Sequence, residues 1–213
     1  WFLQEKLKDY NVKNYGVGGY GTYQSFLLLE EILKKNNDIK MIVYSYINAH
    51  RSRNIGDASW LSNLNKFSKR GHLSLPYADL DMKGNLIKNS PVEYIKLPFR
   101  EYSSLVTRLE KKIMRIKFYS KYNNKTEVLK KIIIEMKNLS RKNGSKFFFI
   151  NLDSDRKYFS FYKIFLKKNK IKFADCGFLN ISDDYRVKND GHPNAKLHKI
   201  YAECIYDLVL KWF

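Results

Sequence analysis

Cysteine is scarce in this chain, with two in 213 residues, Cys176 and Cys204, and no CxxC spacing. That excludes a disulfide-dense scaffold and a thiolate zinc site, and both are expected as ordinary core residues. Long apolar runs are missing too, since stretches such as 26–29 and 147–150 fall far short of the roughly 20 residues a bilayer-spanning helix requires. No segment of the chain is expected to cross a membrane. Histidine occurs four times without an HxH or HExxH pattern, which argues against a metal enzyme. The chain opens at Trp1 rather than Met, and its first ten residues mix charge with apolar groups at helical spacing, unlike a signal peptide. An upstream segment is therefore expected, together with any targeting signal it carries.

Acidic residues are few. Asp and Glu number 21 against 40 Lys and Arg, a formal net charge of +19. Clustered cations of this kind suit phosphate neutralisation, but here the lysines spread over nearly every predicted helix beside abundant Asn and Ile. Such a spread looks compositional, so a nucleic-acid role is not expected. An acidic polysaccharide or an anionic membrane surface remains compatible.

With 44% hydrophobic and 15% aromatic residues, the chain can bury a substantial core, and its length fits one α/β domain over 1–213. No internal repeat, linker or low-complexity tract interrupts it. Helix and strand signals alternate, and the buried strands read as continuous apolar runs, as parallel strands covered on both faces should. The pattern predicts a helix ending near Tyr10, a short strand over 12–15, a glycine-rich turn over 16–21 and a helix from a possible cap at Thr22, with Phe26, Leu29, Ile32 and Leu33 on one face. A strand over 41–47 follows. A β-hairpin insertion is expected near 71–97, turning at Lys83-Gly84-Asn85. Two basic helices come next, near 103–119 and 125–141, the second stopped by Gly144. A strand over 146–152, a helix near 157–168, a strand near 171–176 and a final helix near 194–212 complete the order.

Lys188-Asn189-Asp190-Gly191-His192-Pro193-Asn194 lies between the last strand and the last helix, where loops aim side chains at a sheet's C-terminal edge. Asp190 and His192 on one Gly/Pro loop can orient and deprotonate a hydroxyl. They can equally be a loop cap and a surface residue. A second segment, Asn14-Tyr15-Gly16-Val17-Gly18-Gly19-Tyr20-Gly21-Thr22, opens a helix, a geometry that points backbone N–H groups at developing negative charge. A dinucleotide reading over Gly16, Gly18 and Gly21 fails, because the next strand leads to Asn48 rather than an acidic residue.

These blocks resemble, in order, the SGNH/GDSL hydrolases, in which Ser, Gly, Asn and His blocks follow one another along the chain. The glycine stretch is similar to the glycine block, with Gly19 matching the residue whose N–H helps form the oxyanion hole. The strand-plus-turn MIVYSYINAHRSRN resembles the asparagine block, and Asn48 matches its side-chain donor. NDGHPN resembles the acid/base block, so Asp190 and His192 inherit the roles of orienter and base. The resemblance covers residues 12 to about 205 and implies a three-layer α/β/α sandwich with a mostly parallel, flavodoxin-like sheet.

It also implies ester hydrolysis or acyl transfer without a cofactor, on an acylated small molecule or O-acetylated glycan. Two departures stand out: acid and histidine are one residue apart where many members have two, and no serine precedes Gly19. The serine block and the first strand are therefore expected upstream, leaving the 213-residue chain inert. Gly56-Asp57-Ala58-Ser59 is a near match to the serine signature but lies after the asparagine block, and Asp57 or Ser59 reads instead as a helix cap. His50, Arg51 and Arg53 can grip an anionic or carbohydrate substrate or serve only local contacts. His72 and His198 have no comparable context.

Overall fold

The computed structural model describes residues 2–67, 73–94, 96–117, 119–154, 156–177 and 181–212. His72 and Gly71 of the expected hairpin region, and Trp1 of the first helix, lie outside them. The described residues form a mixed α/β structure with a three-stranded parallel sheet and a two-stranded antiparallel hairpin. The chain divides into two units, Trp1–Gly16 with Asp38–Asn48 and Ser140–Phe213, and Val17–Asn37 with Ala49–Leu139.

In the first unit, β1 (Met41–Tyr46), β4 (Lys146–Asn151) and β5 (Lys172–Asp175) run parallel in the order β1-β4-β5. Phe147 to Ile150 can be continuous hydrophobe because β4 is paired along both edges and buried on both faces. Phe148 and Ile150 form a core cluster with Leu197, Tyr201 and Leu208 of α8 (Ala195–Trp212). Those three α8 residues recur at helical spacing, which gives the helix its inward stripe. On alternate residues Phe149 meets Tyr44 and Tyr46, and Tyr46 meets Tyr162 of α7 (Arg156–Lys168) edge-on. The helix α1 (Phe2–Lys6) contacts α8, with the Lys6 ammonium 5.3 Å from the Tyr206 ring centroid.

Two expectations are corrected here. Residues 12–15 form no strand: the Val12 N–H donates to the Gln4 side-chain oxygen at 2.7 Å, and the Gln4 amide holds the Tyr10 carbonyl just ahead of the segment at 2.7 Å. The cysteines are not independent core residues. Cys176 and Cys204 are joined in a disulfide with their Cα atoms 5.9 Å apart, within the core that α8 makes with β4 and β5. Their separation of 28 residues carries no local signature, and the packing of α8 brings them together.

In the second unit, α2 (Thr22–Lys35), α3 (Ala49–Arg53), α4 (Ala58–Phe67), α5 (Ser104–Lys117) and the hairpin β2 (Ser74–Leu80)–β3 (Leu86–Glu93) are the main elements. The long α6 (Tyr119–Lys142) carries the chain on into the first unit and ends at Gly144, whose φ of +75° suits glycine. Gly21, not Thr22, is the N-cap of α2, and Gln24 accepts the Gly21 N–H at 2.8 Å while donating to the Pro76 carbonyl at 2.7 Å. A side chain at residue 21 would collide with Arg53 and Asn54, so the close approach requires glycine. Asn54, fully buried, ties the unit together: its side chain accepts from the Tyr23 N–H at 2.9 Å and its carbonyl accepts from Ala78 at 2.8 Å.

Candidate active site

The segment following β5 folds as a 3₁₀ turn, Asp183–Tyr185, then a tight loop that enters α8. Asn194 caps α8, its side-chain oxygen accepting from Lys196 and Leu197 N–H, while its amide donates to the Asp184 carbonyl at 2.7 Å. Val187 donates to the His192 carbonyl at 2.8 Å, and Arg186 donates to the Gly191 carbonyl at 2.8 Å. Asn189 and Gly191 both sit at positive φ, +63° and +77°, residue types that tolerate the left-handed region. That backbone places the Asp190 carboxylate 2.5 Å from His192 Nδ1. Both side chains are exposed, 55% for Asp190 and 77% for His192.

An aspartate on Nδ1 selects the tautomer whose Nε2 can accept a proton, and it stabilises the imidazolium once the proton arrives. The described residues thus hold a carboxylate and an imidazole in contact on a loop at the C-terminal side of a parallel sheet, where open α/β sheets carry their sites.

Asn48 follows β1 at the same side, and its backbone N–H donates to the Asp153 carboxylate at 2.6 Å. Asp153 follows β4, so this bond fixes the turn after β1 to the turn after β4. Asn151, almost fully buried, donates to the Asp153 carbonyl at 3.0 Å and to the Asp175 carboxylate at 2.8 Å, which also accepts from Gly177 N–H. A Cβ at residue 177 would overlap the Asp153 carbonyl, so glycine is required there too. The Tyr201 hydroxyl donates to the Leu152 carbonyl at 3.3 Å. Burial pushes the Tyr201 pKa up, as does the Asp153 carboxylate, while Arg186 of the histidine loop pulls it down. Asp153 and Arg186 therefore both act on one phenol.

Gly19 belongs to the second unit and adopts φ +84° in a turn closed by Tyr20 N–H to the Val17 carbonyl, against Trp60 and Leu64. His50, Arg51 and Arg53 all lie on the short helix α3. Arg53 stacks on the Trp60 ring at 4.1 Å and donates to the Tyr20 carbonyl at 2.9 Å, and Arg51 reaches the Thr126 hydroxyl at 3.4 Å. Burial, with the Arg53 charge beside it, holds the His50 imidazole down to about 3. Asp57 caps α4, accepting from Ser59 and Trp60 N–H at 3.0 and 3.2 Å, and Ser59 is exposed on that helix's first turn.

Asp153, Asn151 and Asp175 were not singled out by the sequence reading. Asn151 and Asp153 do have a signal, since these two polar residues come at and just past the end of the most apolar strand of the chain, as Asn48 follows the strand before it.

No family model, curated protein or solved structure matches this chain.

Proposed function

We propose that this chain carries the acid/base and oxyanion parts of a serine esterase or acyltransferase of SGNH/GDSL type, acting on an O-acylated, glycan-like substrate. The observation that carries the reading is the Asp190–His192 contact at 2.5 Å on the loop after the last parallel strand. In this reading His192 Nε2 takes the proton of a serine hydroxyl as its oxygen attacks the acyl carbon. The negative charge that develops on the carbonyl oxygen needs N–H donors, the roles that the resemblance gives to the Gly19 N–H and to the Asn48 side-chain amide. His192 then gives the proton to the departing alcohol, leaving an acyl-enzyme. Water or an acceptor hydroxyl takes the acyl group in the second half, with His192 again accepting and returning the proton.

The fold that goes with this reading is the three-layer, flavodoxin-like sandwich, and the nucleophile is a serine ahead of the glycine block. Among the described residues β1 pairs with β4 alone, at the edge of the sheet. A fluorophosphonate probe tests the assignment. The natural full-length protein should label stoichiometrically on a serine outside Gly56–Ser59, with labelling lost in His192→Ala and kept in Ser59→Ala. Labelling abolished by Ser59→Ala moves the nucleophile to the Gly56-Asp57-Ala58-Ser59 turn and overturns the block assignment. The net charge of +19 favours one second reading, a noncatalytic polyanion- or glycan-binding module that keeps the fold, which predicts no labelling at all.

A further inference from the structure

Helix α5 has a buried line and an exposed apolar line. The first faces the core of its own unit: Met114 is fully buried with Leu61 and Tyr94. Glu110, 1% exposed, accepts from the Leu97 N–H at 2.9 Å and pairs with Arg100 at 3.4 Å. The second line, Leu105, Leu109, Ile113 and Ile116, recurs at helical spacing about a third of the circumference away from the first. It stands in solvent, at 74%, 51%, 39% and 67% exposure. Directly before the helix, Phe99 and Tyr102 are 72% and 89% exposed. Phe99 holds φ +64°, a region bulky residues rarely adopt, while its carbonyl accepts from both Tyr102 and Ser103 N–H at 3.0 Å. The turn that starts the helix thus holds an aromatic side chain in solvent.

On the flank of this line away from the core lie Arg108 and Lys112, with Arg115 further round the helix, all exposed. An apolar stripe in solvent bordered by cations is the pattern of a helix lying in a bilayer interface. We propose that α5 and its leading turn form an interfacial docking surface for an anionic lipid bilayer. Leu105, Leu109, Ile116, Phe99 and Tyr102 enter the headgroup region, and Arg108 and Lys112 meet lipid phosphates. Charge complementarity selects this occupant. Pairing with a second copy through a two-fold axis would set the same cations against each other, and nucleic acid gives the apolar line nothing to bury. This inference is independent of the acyl-transfer reading.

Flotation of the 213-residue chain with vesicles tests it, using phosphatidylcholine alone and phosphatidylcholine with about one-third phosphatidylglycerol. The anionic vesicles should bind at least about tenfold more tightly. Leu105→Ser/Ile116→Ser, at exposed positions, should lose at least about tenfold with an unchanged circular dichroism spectrum. Arg108→Gln/Lys112→Gln should lose roughly twenty-five-fold, near a factor of five per cation. A polarity-sensitive fluorophore on Leu105→Cys should shift to the blue with anionic vesicles even where the serine variant folds poorly. Absence of binding to anionic vesicles, binding unchanged in both double variants, or equal binding to both vesicle types overturns the proposal. So does a dimer without lipid binding that Leu105→Ser/Ile116→Ser abolishes, which would give the surface to a second copy.

Discussion

The Asn48 backbone N–H and the Asp153 carboxylate meet at 2.6 Å, binding the turn that ends β1 to the turn that ends β4. If the Asn48 side chain is an oxyanion donor, Asp153 is the group that positions it. Asn48→Ala in the full-length protein should lower kcat about a hundredfold with little change in stability, the usual effect of losing one preorganised donor. Asp153→Ala should lower kcat about tenfold at nearly constant KM, and Asp153→Asn, which keeps an acceptor, should restore most of it. Equal losses in KM for both Asp153 variants would assign the residue to substrate binding instead.

Gly191 separates Asp190 from His192 at φ +77°, with nothing within 4 Å of where a Cβ would stand. Gly191→Ala therefore meets only backbone strain, about 1 kcal/mol. Gly84 in the hairpin turn has the same φ of +77° and the same empty surroundings. Gly84→Ala should match the stability loss and leave ester turnover intact, whereas Gly191→Ala should lower kcat about tenfold by displacing the dyad. Equal activity in the two variants would show that the loop conformation does not set the Asp190–His192 geometry.

The disulfide closes the segment that contains the dyad, since Asp190 and His192 fall between Cys176 and Cys204. In the chain-entropy model a loop of this length contributes about 3.5 kcal/mol to folding. Cys204→Ser should lower the thermal midpoint accordingly and weaken turnover. A variant with unchanged stability would mean the pair is reduced in the working protein.

His50 makes the second unit acid-sensitive. Its folded pKa of about 3 lies below the ordinary 6.5, so the folded state binds fewer protons than the unfolded one between these values. Its contribution is fully present above pH 6.5 and is lost as pH falls toward 3, at up to about 1.4 kcal/mol per pH unit. Denaturant midpoints at about pH 7 and about pH 5 should differ less in His50→Gln than in the parent. Parallel shifts in both proteins would place the acid sensitivity elsewhere.

Long, strongly patterned elements were legible in the sequence. Residues 146–152 were readable as a buried strand because four large apolar residues run together, and the hairpin because Gly84 and its neighbours mark its turn. The end of α6 was legible from Gly144 and the cap of α4 from Asp57. What failed depended on partners distant in sequence. Val12 looks β-forming by itself, but a glutamine eight residues earlier takes its N–H. Cys176 meets Cys204 only once α8 has packed on the sheet. At the site, the Asp190–His192 pair was readable because both residues sit on one loop, whereas Asp153 lies 105 residues beyond its partner Asn48.

The most direct measurement of the central claim is p-nitrophenyl acetate hydrolysis by the full-length protein and its His192→Ala and Asp190→Ala variants. An acyl-enzyme should give burst kinetics, with kcat reduced about a hundredfold or more in His192→Ala and by less in Asp190→Ala, each variant still folded. An active protein indifferent to His192→Ala would contradict it.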